Sequence, residues 1–153
     1  MVNVVDSGYV INGPLIEYGY QNTQWSVSCD DIRVVGEFTN NNGPYADDFY
    51  LVLIDNKEAV HVGSFYAPGR DFVDIMLKNA GMLDEYGLCN SAELRSRVLY
   101  PNELRGEPLY TFVEKRLMGI RGWLLRESEI ECFVTENVMS YLRHVPNQSS
   151  KGS

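Results

Sequence analysis

The chain has 153 residues and a net charge of −8, with 44% hydrophobic and 22% charged residues. A chain of this size can bury a full core without disulfides or metals, and its apolar content excludes a disordered protein. The acidic charge argues against general nucleic-acid binding, because phosphate groups repel acidic surfaces. The sequence also lacks a run of about 18 apolar residues, so it gives no sign of a membrane span.

The clearest strand signals lie between residues 32 and 66. IRVVGEF (32–38) alternates between apolar and polar residues, FYLVLID (49–55) is apolar on both faces, and VHVGSFY (60–66) follows after a short polar turn. These segments predict an antiparallel meander with residues 49–55 in the centre. Upstream, YVINGPLIEYGYQ and QWSVSC are compatible with one or two further strands.

The first helix is predicted over residues 71–80, directly after a Pro-Gly turn. Phe72, Ile75 and Met76 recur at helical spacing, and Gly81 supplies a stop. We expect this apolar stripe to cover the sheet. Asp71 is the predicted N-cap.

Three later segments are also interpreted as helices. Asn90 opens a capping-box pattern for a short helix that Pro101 ends. Residues 107–119 have a helix start signal at Pro108 and a stop signal at Gly119, but the residues between them favour a strand. We interpret this segment as a helix. Residues 128–145 follow a helical period, although IECFV within them alternates like a strand, and GWLLRE before them is predicted as a strand.

The expected fold class is therefore α+β, with an antiparallel sheet covered by two to four helices in a single pair of layers. We expect one domain over residues 1–145 and a disordered polar tail over residues 146–153. The three cysteines, Cys29, Cys89 and Cys132, form no CxxC pair, and their odd number leaves an unpaired thiol. Such thiols suit a reducing, cytoplasmic setting.

Strong local catalytic and cofactor motifs are missing. The chain contains no GxxxxGK[ST], GxGxxG, HExxH, GxSxG or EF-hand pattern, so we expect no cofactor. A cysteine paired with His61 or His144 offers a nucleophile and a base, but buried inert thiols are the more common arrangement. Asp30-Asp31, Asp47-Asp48 and Asp55 resemble metal-binding carboxylates, but we favour a solvated loop rim and expect no metal site.

Arg70 and Asp71 stand at the joint between the Pro-Gly turn and the first helix. A helix N-terminus attracts anions, but Asp71 and Asp74 already supply carboxylates there. We therefore interpret the joint as a capped turn in which Arg70 pairs with an acidic neighbour.

Charge is unevenly distributed along the chain. Residues 1–68 carry a net charge of −7, whereas residues 94–126 carry a surplus of +4. The basic stretch, with aromatic residues between its arginines, is a candidate anion-binding patch. Its candidate residues are Arg95, Arg97, Arg116, Arg121 and Arg126.

The acidic first half also contains most of the tyrosines, a combination typical of a docking surface for a basic protein. We therefore predict a non-catalytic protein-binding module of the inhibitor or immunity type. Two alternatives stay open: a small motif-less enzyme or anion-binding protein with a cleft beside the sheet, and a homodimer in which acidic and basic regions meet. The predicted partner-binding residues are Tyr18, Tyr20, Trp25, Asp30, Asp31, Tyr45, Asp47 and Asp48.

Overall fold

In the computed structural model, the residues that the structure describes are 7–39, 49–88, 95–116 and 128–144. Within these ranges the chain forms nine β-strands, two α-helices and two short 3-10 helices. The strands are β1 (Gly8–Asn12), β2 (Leu15–Tyr20), β3 (Thr23–Ser28), β4 (Ile32–Thr39), β5 (Phe49–Asp55), β6 (Val60–Ser64), β7 (Arg95–Tyr100), β8 (Tyr110–Arg116) and β9 (Ser128–Val134). The α-helices are α1 (Arg70–Asn79) and α2 (Glu136–His144), and the 3-10 helices span Cys29–Asp31 and Asn102–Leu104.

The strands form three antiparallel sheets. Strands β1, β2 and β3 follow one another in the meander sheet, while the central sheet has the order β6-β5-β4-β7 and the third sheet is the β8–β9 hairpin. Positive φ angles at Gln21 and Asn22 allow the two-residue turn between β2 and β3. The meander predicted over residues 32–66 is present as β4, β5 and β6.

The central sheet is buried on both faces because its two middle strands carry apolar residues at successive positions. Val35, Leu51 and Leu53 point to a core shared with the meander sheet and α1. Val34, Val52 and Ile54 point to a second core, which contains residues of the hairpin and α2. The molecule therefore has apolar contacts on each side of one central layer.

The outer edge of strand β6 is capped by aromatic side chains of the meander sheet. The Tyr9 hydroxyl donates to the Ser64 carbonyl at 2.9 Å, and the Ser64 amide donates to the Tyr18 hydroxyl at 2.9 Å. The Trp25 indole donates to the Val62 carbonyl at 2.9 Å. These bonds satisfy backbone groups that an edge strand otherwise leaves open to another chain.

The expected fold class was wrong. The protein is mostly β, with three sheets and, among the described residues, two short α-helices, rather than one sheet covered by two to four helices. Residues 95–100, placed in the helix predicted to end at Pro101, form β7, and the predicted helix over 107–119 contains β8. Residues 128–134 form β9, and α2 begins only at Glu136. Asn90, the GWLLRE segment and the polar tail lie outside the described residues.

Aromatic packing explains why residues 110–116 form a strand. The Tyr110 ring lies 5.7 Å from that of Phe38 on β4, and the Phe112 ring lies 5.9 Å from it. Alternate residues of the segment can reach the same neighbour only in an extended conformation. This contact, together with β propensity, outweighs the helix signals at Pro108 and Gly119.

Helix α1 is the predicted first helix, displaced by one residue at each end. Among the described residues, no helix combines the length and apolar content needed to cross a membrane.

Candidate functional site

The first candidate site is the joint between β6 and α1, where Arg70 is held by several groups at once. Its guanidinium lies 3.5 Å from the centre of the Phe65 ring and donates to the Phe65 carbonyl at 3.0 Å. It also pairs with Asp71 at 3.0 Å and with Asp74 at 3.3 Å. The predicted pairing of Arg70 with acidic neighbours is confirmed, and these carboxylates make the joint unfavourable for an anion.

The predicted capping role of Asp71 was wrong. The N-cap of α1 is Gly69, which has a φ of 83°. Any side chain at this position would collide with the Tyr9 carbonyl, so the turn needs glycine. Asp71 lies within the first turn, with 85% of its side chain exposed.

Contacts on the inner side of α1 fix the rotation of the helix. Asp74, besides pairing with Arg70, accepts a hydrogen bond of 2.5 Å from the Tyr86 hydroxyl. Val73 and Leu77 are fully buried in the core shared with the meander sheet. Burial and the adjacent Asp74 carboxylate raise the pKa of Tyr86, so its hydroxyl keeps the proton that it donates.

The rotation of α1 leaves an apolar surface facing outward. Phe72 is 67% exposed and Ile75 is 57% exposed, the two highest values among the large hydrophobic side chains that the structure describes. Asp71 and Lys78, both exposed, flank them. We call Asp71, Phe72, Ile75 and Lys78 the outer α1 face.

Sequence reasoning assigned this surface to the wrong side of the helix. Phe72 and Ile75 were expected to cover the sheet, whereas Val73 and Leu77 do so. A signal was present in the sequence, since RDFVDIMLKN has apolar residues around more than half of the helix circumference. One core contact needs only a narrower stripe, so part of this wide apolar arc remains outside the core.

The aromatic residues predicted to bind a partner point into the molecule. Tyr18 is buried, with 4% exposure, and its ring stacks on Trp25 with 5.0 Å between ring centres. Trp25 and Tyr20 are partly buried and pack against the same core. The polar groups of Tyr18 and Trp25 bond to the backbone of β6, so neither ring is an exposed anchor for a partner. Tyr45 lies outside the described residues.

The predicted acidic docking residues are only partly described. Asp30 is exposed, and Asp31 is partly buried and accepts a hydrogen bond of 3.3 Å from the Asn56 amide. Arg33 donates to the Asp30 carbonyl at 3.0 Å, so positive charge lies beside these acids. Asp47 and Asp48 lie outside the described ranges.

Among the predicted anion-binding arginines, the structure describes the side chains of Arg95 and Arg97. Arg95 is exposed on β7, whereas Arg97 pairs at 3.0 Å with the fully buried carboxylate of Glu37. Arg116 is the last residue of β8. Arg121 and Arg126 are among the residues that the structure does not describe.

The candidate catalytic groups show no activated thiol in the described ranges. Burial raises the pKa of the Cys29 thiol and also that of Cys132, so both favour the unreactive protonated form. Cys89 lies outside the described residues. His144 contacts the Ser140 carbonyl at 2.7 Å, within its own helix.

His61 and Asp55 form a dyad at the start of β6. Their side chains approach to 3.0 Å, and the Asp55 carboxylate also accepts the backbone amides of Lys57 and Ala59. The hydrogen bond from His61 and those from the two amides hold the pKa of Asp55 below its usual value, against the opposing effect of burial. Because Asp55 closes the β5–β6 turn, the dyad has a structural role. The described part of the chain also has no group of three or more residues suited to hold a metal ion.

Comparison with known proteins gives no match to a family model, a curated protein or a solved structure.

Proposed function

We propose that this chain is a non-catalytic protein-binding module whose contact surface is the outer α1 face. One observation carries the proposal: Phe72 and Ile75 are exposed on a helix whose opposite side is already buried in the core. Large apolar side chains adjacent on a rigid element are typical of protein contact sites.

The fixed orientation of α1 supports the proposal. The inner contacts of Arg70 and Asp74 hold the helix in place before any partner arrives. A preorganised surface loses little conformational entropy on binding. Two partner classes fit the chain: a basic protein, favoured by the net charge of −8, or a second copy of the chain. The free thiols at Cys29 and Cys132 favour a cytoplasmic setting for either.

An enzyme or anion-binding protein has less support. The described thiols favour the protonated form, the Asp55 carboxylate closes a turn, and Arg97 is paired with a buried carboxylate. Each of these four described groups therefore has an internal partner or an unfavourable protonation state.

The proposal is tested by capture from a lysate of the native source under reducing conditions. Tagged wild-type protein is compared with the double variant F72S/I75S and with the control F133S, which removes a 51% exposed aromatic residue from β9. We expect the double variant to lose a partner that wild type and F133S retain, with unchanged melting temperatures. Untagged copies of the same chain from the lysate, if they are captured, also count as a partner. Equal capture by all three proteins would contradict the proposal.

A further inference from the structure

We infer that the outer α1 face binds the same face of a second copy, with the two helices antiparallel about a two-fold axis. The inference rests on the proposed function, because it names the occupant of the same surface. It follows from the arrangement of four side chains on one ten-residue helix.

The direction in which Ile75 points is set by helix geometry. At about 100° per residue, Ile75 lies about 180° from the midpoint between Val73 and Leu77. Since Val73 and Leu77 are fully buried, Ile75 points directly away from the core. Phe72 lies about 60° to one side of Ile75, so the two make a short apolar ridge.

The charged residues lie on the other side of this ridge. Asp71 and Lys78 are seven residues apart, which places them about 10 Å apart along the axis and within about 20° around it. Both are therefore on the same flank, one at each end of the helix. Asp71 is 85% exposed even though it pairs with Arg70, so its carboxylate has room for a second cation.

An antiparallel two-fold arrangement uses all four side chains. Such symmetry brings the same flank of each helix together with the ends reversed. Asp71 of one copy then faces Lys78 of the other, and the reciprocal pair forms at the opposite end. Between them the two Ile75 side chains meet, and each Phe72 packs beside the partner's ridge. A parallel two-fold arrangement would instead place the Asp71–Lys78 flanks of the two copies on opposite sides of the interface, so only the antiparallel arrangement forms these charge pairs.

The size of the surface predicts a weak dimer. Four apolar side chains on two short helices bury far less than the roughly 1,200 Å² of the smallest stable interfaces. We therefore expect a rapidly reversible dimer, seen by sedimentation velocity over roughly 10 μM to 1 mM protein, the range suited to small transient contacts. Reductant must be present because the exposed Cys132 could otherwise link two copies covalently.

Charge exchange gives a specific test. The single variants D71K and K78D each place like charges opposite one another at both ends of the homodimer. We expect either variant alone to dissociate at least about tenfold more readily than wild type. An equimolar mixture of the two restores opposite charges at both ends and should associate as wild type does. This result depends on pairing between copies, so a loss of helix stability in one variant cannot produce it.

The apolar part is tested with I75S, which should remove self-association, against F133S, which should not. Wild-type protein that stays monomeric over the whole range would overturn the inference, as would a D71K and K78D mixture that associates no better than its components. In either case, if the capture experiment still shows a partner that F72S/I75S loses, the proposed function stands and the occupant is a different protein. If neither experiment depends on the outer α1 face, both proposals fail.

Discussion

The buried ion pair between Glu37 and Arg97 predicts a pH-dependent effect on stability. Glu37 lies in the second half of β4 with no exposed surface, directly across from Arg97 on β7. Its carboxylate accepts hydrogen bonds from the Gly87 amide at 2.8 and 3.1 Å and from the Arg97 guanidinium at 3.0 Å. Together these bonds attach the segment after α1 to the central sheet.

Removing Arg97 leaves a buried carboxylate without its counter-charge. Breaking a buried ion pair costs about 3–5 kcal/mol, but Arg97 is 34% exposed, so water can replace part of its contribution. We therefore expect R97Q to lower the free energy of unfolding by about 3 kcal/mol near pH 8.

The loss should shrink at acidic pH. Burial is the largest effect on Glu37 and raises its pKa above the usual value, against the opposing effects of Gly87 and Arg97. R97Q removes one opposing effect and raises the pKa further. The folded variant therefore binds a proton more readily than its unfolded chain does, and its stability rises as the pH falls through the folded pKa towards the unfolded one.

The assay is urea unfolding of wild type, R97Q, E37Q and the double variant, near pH 8 and near pH 5. In the E37Q background no buried carboxylate loses its counter-charge, so R97Q should cost less than about 1 kcal/mol, giving a coupling of about 2 kcal/mol. An equal loss from R97Q in both backgrounds and at both pH values would refute the reasoning.

Two further variants test the fold. L77A removes a fully buried side chain of α1 and should lower the free energy of unfolding by about 3 kcal/mol. I75A, on the outer α1 face, should change the free energy of unfolding by less than about 0.5 kcal/mol. If urea unfolding gave similar losses for L77A and I75A, the helix would be rotated differently. W25F removes the hydrogen bond to the outer edge of β6 and should cost about 1–2 kcal/mol. If W25F lost no more free energy of unfolding than the exposed-site variant I75A, the Trp25 bond would not stabilise the edge of β6.

The central meander could be predicted because its information is local. Residues 32–38 alternate, residues 49–55 are apolar throughout, and the turn before residue 60 is short and polar. The structure places β4, β5 and β6 within a few residues of these segments. Strand β8 could not be predicted in this way, because its helix signals and its β propensity conflict. The conflict is resolved by the contacts of Tyr110 and Phe112 with Phe38, more than seventy positions earlier.

The burial of Tyr18 and Trp25 could not be predicted for a similar reason. Tyr18 and Trp25 have polar groups that, judged from sequence, suit a half-exposed surface. In the structure those groups are bonded to the backbone of β6, at Ser64 and Val62. Only the stacking of the meander sheet beside β6 creates these bonds, and no local pattern indicates it.

The exposure of Phe72 and Ile75 is a consequence of how α1 is anchored. A half-turn of the helix would bury these two residues, but it would expose Val73 and Leu77. It would also remove Asp74 from Tyr86 and Arg70 from Phe65. The anchored rotation keeps both the apolar burial and the polar network, so it is the favoured one. Because one side of the helix already supplies the core contact, the outer residues add little to folding. The proposed contact with another protein would account for their apolar character.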